Sequence, residues 1–229
     1  MGNIAGILFG LIGLAIPILI IAAIVYWISR IKSGISLSIS YKDALRVYFY
    51  IVILVSVGLT GVGGVSTLIN VGLGEMVGRE FSYGEGYEDH RALQDLKNNG
   101  DSSSYVVGDD RSLSEKIDLE MKGSLINGIS LAVIGSFLML VHFLGRRWVE
   151  TVDEHSDLLR RLYLIAGLAI FAVITIVSLI AGIPETLRYA LLEVEPGQES
   201  PGEALSIAIV GLPIWVSYLV ATLRNVRSQ

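Results

Sequence analysis

One histidine stands inside a long apolar run: His142, in "FLMLVHFLGRRW". A lone imidazole in such a place can serve as an axial ligand to a pigment or haem. A haem held by two histidines would need a second chain. The same position, three residues before Gly145 and beside Arg146, Arg147 and Trp148, also suits an imidazole at the headgroup level of a membrane. That second role is the expected one, and no cofactor is expected. The other residues with chemical potential are carboxylates. "EGYEDH" (Glu85–His90) and "GDDRSLSEKIDLEM" (Gly108–Met121) are dense in the hard oxygen ligands that Ca²⁺ prefers. Their spacing forms no EF-hand loop, and Glu88, Asp89 and His90 are adjacent, so on a helix they cannot face one ion. A solvated acidic surface is the expectation. Cysteine is absent, which excludes disulfides, thiolate metal sites and cysteine nucleophiles. No nucleophile–base pair, phosphate loop or dinucleotide fingerprint occurs. No enzyme activity is expected, and the pI of about 5.2 argues against a nucleic-acid partner.

The elements that carry these residues are apolar helices. Of 229 residues, 52% are hydrophobic and 17% charged, with mean hydropathy +0.63; a soluble domain carries roughly 25% charged residues. The charges fall in blocks between uncharged runs at Met1–Ser29, Val47–Gly74, Gly123–Gly145, Leu162–Pro184 and Ala204–Leu223. Each reaches the roughly 20 residues that cross a ~30 Å hydrocarbon core as a helix. The expected fold is an all-α polytopic membrane protein of five transmembrane helices. The first run lacks a basic segment before it and is read as a retained helix, not a signal peptide. The connections at 30–46, 146–161 and 224–229 carry net +5, and those at 75–122 and 185–203 carry net −10. Positive charge stays cytoplasmic, so the N-terminus is expected outside and the C-terminus inside.

Two echoes divide the chain. "LRVYFYIVIL" from Leu45 returns as "RRLYLIAGLA" from Arg160, and "SLAVIG" from Ser130 returns as "SIAIVG" from Ser206. In each pair the direction through the membrane is the same. Helices two and three then form a hairpin that helices four and five repeat, a parallel tandem duplication. The expected divisions are 1–43, the first helix and its connection; 44–148, hairpin unit one, with the acidic segment 75–122; and 149–229, hairpin unit two. The entry Arg161-Leu162-Tyr163 and the return Gly211-Leu212-Pro213-Ile214-Trp215 resemble a bacterial integral-membrane family of unknown function built from two-helix units. The resemblance implies the bacterial cytoplasmic membrane and carries no established activity. Unit one departs from the pattern, with Val47 before Tyr48 and Gly135-Ser136-Phe137 on the return.

Arg46, Tyr48, Arg161, Tyr163, Trp27 and Trp148 are expected as interfacial anchors, arginines reaching headgroups and aromatics sitting in the belt. Gly2, Gly6 and Gly10, with Gly58 and Gly61, are expected at helix contacts, because small residues let backbones approach closely. The spans hold no Asp, Glu, Lys or Arg. Apart from His142 their polar content is hydroxyl and amide, with Ser56, Thr60, Ser66, Thr67, Asn70, Thr175 and Ser206 among them. Membrane lipid and other membrane subunits are the expected partners. The expected function is an accessory or structural subunit beside a larger membrane complex. Alternatives are a small channel or passive carrier, homo-oligomeric in one form, and a pigment- or haem-binding subunit through His142.

Overall fold

In a computed structural model, residues 41–98, 111–150, 158–192 and 198–227 are described, the backbone alone for 93–98. Among these the protein is all-helical. The elements are α1 (Tyr41–Gly58), a π-helical segment (Leu59–Val65), α2 (Ser66–Met76), α3 (Arg79–Ser82), α4 (Gly84–Asn98), α5 (Leu113–Val149), α6 (Leu158–Leu191) and α7 (Gly202–Arg227). Four helices are long and apolar enough to cross a membrane: Tyr41–Met76, Leu113–Val149, Leu158–Leu191 and Gly202–Arg227. Each contains one of the uncharged runs of the sequence. The run Met1–Ser29, with Gly2, Gly6, Gly10 and Trp27, lies outside the described residues. The chain divides into two compact units, Met1–Tyr48 and Phe49–Gln229. The packing of helix on helix is that of the second unit.

Small residues set the helix contacts. On α5, Gly128, Ala132 and Gly135 share one face, and that face meets the π segment and α2. A Cβ at Gly64 would lie 2.6 Å from the Ala132 nitrogen, and one at Gly128 would lie 3.0 Å from Leu68 Cδ2. Along α6 the buried residues Gly167, Phe171, Thr175, Ser178 and Gly182 recur at helical spacing, and α7 packs against them along its length. A side chain at Gly167 would overlap the Tyr218 ring, and a Cβ at Gly211 would lie 2.7 Å from Thr175 Oγ1. Between helices in lipid, such close approach supplies the dispersion contacts that a hydrophobic drive supplies in water. In addition, α7 touches α2 and the π segment.

The π segment reads LTGVGGV, and the Ser66 N–H donates to Gly61 O, five residues back. Gly61, Gly63 and Gly64 carry no side chains to crowd the widened turn. Ser66 Oγ donates to Val62 O, and Thr67 Oγ1 to Gly63 O at 2.7 Å, so hydroxyls serve carbonyls of the disturbed ladder. Beyond the far end of α2 the chain turns at Gly78, whose φ of 153° only glycine adopts without strain. That turn folds α3 back over α2, and Ser82 Oγ donates to Asn70 O at 2.9 Å.

α5 starts at a capping box. Glu115 N donates to Ser112 Oγ at 3.3 Å, and Ser112 N to Glu115 Oε2 at 3.1 Å, as the Ser112–Glu115 spacing predicts. Ser112→Ala is expected to cost about 1 kcal/mol, read as a lowered unfolding midpoint with the span otherwise intact.

Candidate functional site

The ends of the spans differ in character. At the end joined by residues 75–122, the acidic end, lies a cavity of about 240 Å³. α2 contributes Ser66, Thr67 and Asn70, with Val62 of the π segment below them; α3 and the residue after it contribute Ser82 and Tyr83. α5 brings Glu120 and Ser124, and α7 brings Glu203 and Ile207. Eight of these ten residues are polar, and none is Lys, Arg or His. The two carboxylates are on exposed residues, whereas Ser66, Asn70, Ser82 and Tyr83 are buried. The cavity therefore has an acidic rim and a neutral polar interior, with aliphatic contact from Val62 and Ile207.

Why these helices bring such residues together is a matter of local packing. Gly202 opens α7 directly against the wall: a Cβ there would lie 2.5 Å from Ser82 Oγ and 2.6 Å from Asn70 Oδ1. Gly74 likewise leaves room for Tyr83 and Ser82, at 3.1 and 3.2 Å from its would-be Cβ. Arg79 pairs with Asp118 at 2.6 Å, tying α3 to α5. Tyr189 donates to Glu80 Oε1 at 3.3 Å, and its ring meets Phe81 edge-on at 5.1 Å, tying α3 to α6. Burial pushes the Tyr83 hydroxyl above its ordinary range, and the Glu120 and Glu75 charges add to it. Asn70 is 9% exposed, and its Oδ1 is buried with no hydrogen-bond partner. A buried amide carbonyl without a partner forfeits its desolvation energy, about 1–3 kcal/mol.

The opposite, basic end is held by a different network. Tyr50 donates to Glu150 Oε1 at 2.6 Å, and Arg146 Nε lies 3.3 Å from Glu150 Oε2. The Arg146 guanidinium stands 5.0 Å from the Tyr50 ring centre. The Tyr50 ring lies 4.9 Å from that of Tyr163, whose hydroxyl is 2.8 Å from the Tyr218 hydroxyl. Tyr218 stacks on Phe171 at 5.5 Å. Residues of α1, α5, α6 and α7 thus meet through side chains.

The residues expected as anchors, ligand and helix contacts take the following places. Tyr163 is half-buried, with its hydroxyl hydrogen-bonded to that of Tyr218. Arg161 is half-buried and Trp148 is 87% exposed. In the shorter unit, Tyr48 is exposed, whereas Arg46 is 1% exposed with its guanidinium 3.8 Å from Asp43. His142 is half-buried, with Nδ1 2.7 Å from Leu138 O and its ring 6.0 Å from Phe49. A hydrogen bond to the preceding turn accounts for Nδ1. Gly61 sits at a tight contact, its would-be Cβ 2.6 Å from Ile214 Cδ1, while Gly58 faces open space.

The sequence shows Ser66, Thr67 and Asn70 only as scattered polar residues of one span, and Glu120 and Glu203 only as acidic surface. Their convergence is a tertiary fact. The one available signal is Asn70, the lone amide of the run Val47–Gly74, and Asn127 in the run Gly123–Gly145 carries the same signal without lining the cavity. Within the described residues no group of three His, Cys, Asp or Glu is placed to hold a metal, so any ion here would depend on neutral oxygens as well.

No curated protein and no solved structure matches the chain. Residues 105–201 match the model of a domain of unknown function, DUF5671. The matched stretch includes α5 and α6, and so brings Glu120 and Ser124 to the cavity, while Asn70 and Glu203 come from outside it. That stretch is thus similar to a domain of unknown function, in a helical protein with four candidate membrane spans.

Proposed function

We propose that the protein is a multi-pass protein of the bacterial cytoplasmic membrane that binds a small polar ligand at its acidic end without transforming it. The observation that carries this is the cavity: three spans converge on it with polar side chains and no basic residue. Below it the helices close, with Gly61 against Ile214 and Gly64 against the Ala132 backbone. Such packing supports a receptacle open to one side and weighs against a pore through a single chain.

The charge asymmetry favours a cavity outside and a C-terminus inside. Parallel duplication gains support from a matched pair of contacts. Thr60 faces Gly135, and Thr175 faces Gly211; each threonine follows its entry arginine, Arg46 or Arg161, at the same distance in sequence. Both hydroxyl oxygens are buried and lack a hydrogen-bond partner.

A second reading, an accessory subunit packed beside a larger complex, rests on α5. It is the least buried of the four spans, and Ile126, Val133, Phe137 and Leu140 all lie exposed along it. Lipid covers such a face as well as protein does, so the cavity is the stronger guide.

The chain has no cysteine, so single thiols test the cavity and its sidedness together. In intact cells, Ser124→Cys and the exposed Met76→Cys should both react with an impermeant maleimide, and Trp148→Cys only after permeabilisation. A Ser124 thiol that stays inert while the Met76 thiol reacts would remove the ligand-binding reading. Reaction of Trp148→Cys alone in intact cells would reverse the orientation.

A further inference from the structure

We propose that α5 pairs with α5 of a second copy of the chain, in a parallel two-stranded seam whose register is set by a hydrogen bond between the two Asn127 side chains. Asn127 and Ser130 are exposed within the uncharged run Gly123–Gly145. Hydrocarbon offers neither donor nor acceptor, so an amide facing it leaves its N–H groups and its carbonyl unserved. Lys122, just before that run, can reach headgroups along its flexible stem. Asn127 stands about 7.5 Å further in, and its side chain is too short to follow. Lipid covers the exposed Ile134 and Phe137 as well as protein does, but it does not serve Asn127. The exposed residues of α6 between Leu162 and Pro184, by contrast, are all apolar, so lipid suffices there.

The spacing identifies the partner. Exposed residues recur along α5 at alternating steps of three and four: Asn127, Ser130, Ile134, Phe137, Val141 and Leu144. That is a 3.5-residue repeat, the period that keeps one seam against a partner helix in a left-handed crossing. It runs along the side of α5 opposite Gly128, Ala132 and Gly135, which face the π segment and α2. From Asn127 to Leu144 it covers about 26 Å, most of the ~30 Å hydrocarbon core. Asn127, Ile134 and Val141 occupy one of the two core positions of the repeat, and Ser130, Phe137 and Leu144 the other. β-branched residues at the first position with leucine at the second favour two strands, and a single asparagine at the first fixes strand number and register. Copies inserted alike in one membrane present α5 in parallel, and a two-fold axis along the membrane normal sets Asn127 beside its own copy. An amide holds both donor and acceptor, so it complements itself. No seam residue lines the cavity, so this inference stands apart from the ligand-binding reading.

The test uses the full chain in phosphatidylcholine vesicles. Under copper phenanthroline, Ser130→Cys and Val141→Cys should each form disulfides between chains. Ile129→Cys and Ser136→Cys, exposed but off the seam, should not. Förster transfer between donor- and acceptor-labelled chains, followed as lipid is added, reads the association itself. Asn127→Leu should weaken it on the order of threefold to tenfold, Asn127→Gln, which keeps an amide, should weaken it less, and Ser136→Leu should leave it unchanged. Unaltered circular dichroism of Asn127→Leu separates this loss from a folding defect. Cross-linking no stronger through Ser130→Cys than through Ser136→Cys overturns the proposal, and so does an Asn127→Leu variant that associates like the parent. A disulfide within one chain between Ser130→Cys and Gly6→Cys, with none between chains, overturns it by giving this face to the chain's own first apolar run. Cross-links to another protein in native membranes, with none between purified copies, overturn it in favour of the accessory-subunit reading.

Discussion

Gly64→Leu is expected to part α5 from the π segment and α2, whereas Gly58→Leu, six residues earlier, leaves the protein folded. The two positions lie on one continuous helical span and differ in what surrounds them. A Cβ at Gly64 meets the Ala132 nitrogen, Cα and Cβ at 2.6, 2.7 and 2.8 Å; at Gly58 it meets nothing within 4 Å. The obstacle at Gly64 is backbone, which cannot swing aside as a side-chain tip can, and leucine extends well beyond Cβ. Overpacking of a fitted contact costs about 1–3 kcal/mol, and more where the backbone must move. Gly58→Leu exchanges a poor helix former for a good one, a gain of up to about 1 kcal/mol. Unfolding of both variants in a titration of denaturing detergent, followed by circular dichroism, should separate their midpoints widely and in opposite directions from the parent. Equal midpoints would mean that the Gly64–Ala132 approach does not hold the span.

Arg146→Met should be the most damaging change at the basic end. The Glu150 side chain is 1% exposed and the Arg146 side chain 18% exposed, with 3.3 Å between their nearest charged atoms. Removing the cation takes a counter-charge from a buried carboxylate, and breaking such a pair costs about 3–5 kcal/mol. The Tyr50 hydroxyl still donates to Glu150 Oε1, so the lower end of that range is expected. Arg147→Met, at an exposed neighbour, supplies the control and should lie within about 0.5 kcal/mol of the parent. Adding Glu150→Gln to Arg146→Met should recover much of the loss, because the buried negative charge is gone. If the single variant proves no worse than Arg147→Met, the Tyr50–Glu150–Arg146 cluster is not what holds the ends of α1 and α5 together.

The spans were legible because lipid imposes a one-dimensional rule. A helix in hydrocarbon closes its own hydrogen bonds and excludes charge, so gaps between charged residues trace Val47–Gly74, Gly123–Gly145, Leu162–Pro184 and Ala204–Leu223 directly. The Ser112–Glu115 box was legible for a similar reason: its partners are three residues apart. The cavity was not. Asn70, Glu120 and Glu203 come to line one cavity only after α3 folds back at Gly78 and α7 closes in at Gly202, and neither event leaves a periodic trace. The same holds for Tyr163. An arginine–leucine–tyrosine entry reads as an anchor in any apolar helix, and only the position of Tyr218, 55 residues on, turns its hydroxyl inward.

The π segment also bears on how the two hairpins diverge. A helix advances about 100° per residue, so a turn that holds one residue more than its neighbours rotates everything beyond it by that amount. Thr60 stands second in the π segment, and Thr175 stands in an uninterrupted α-helix. Up to these threonines the two entering helices keep the same spacing from their arginines; past them, only the first has its phase turned. Its Asn70 therefore points in a direction that a regular helix would have given to a neighbouring residue. Loss of one residue from the glycine run would restore the regular winding and carry Asn70 out of the cavity wall while leaving the apolar length of the span almost unchanged. In a lineage, the site could thus vanish by a single-codon deletion that no hydropathy profile would register.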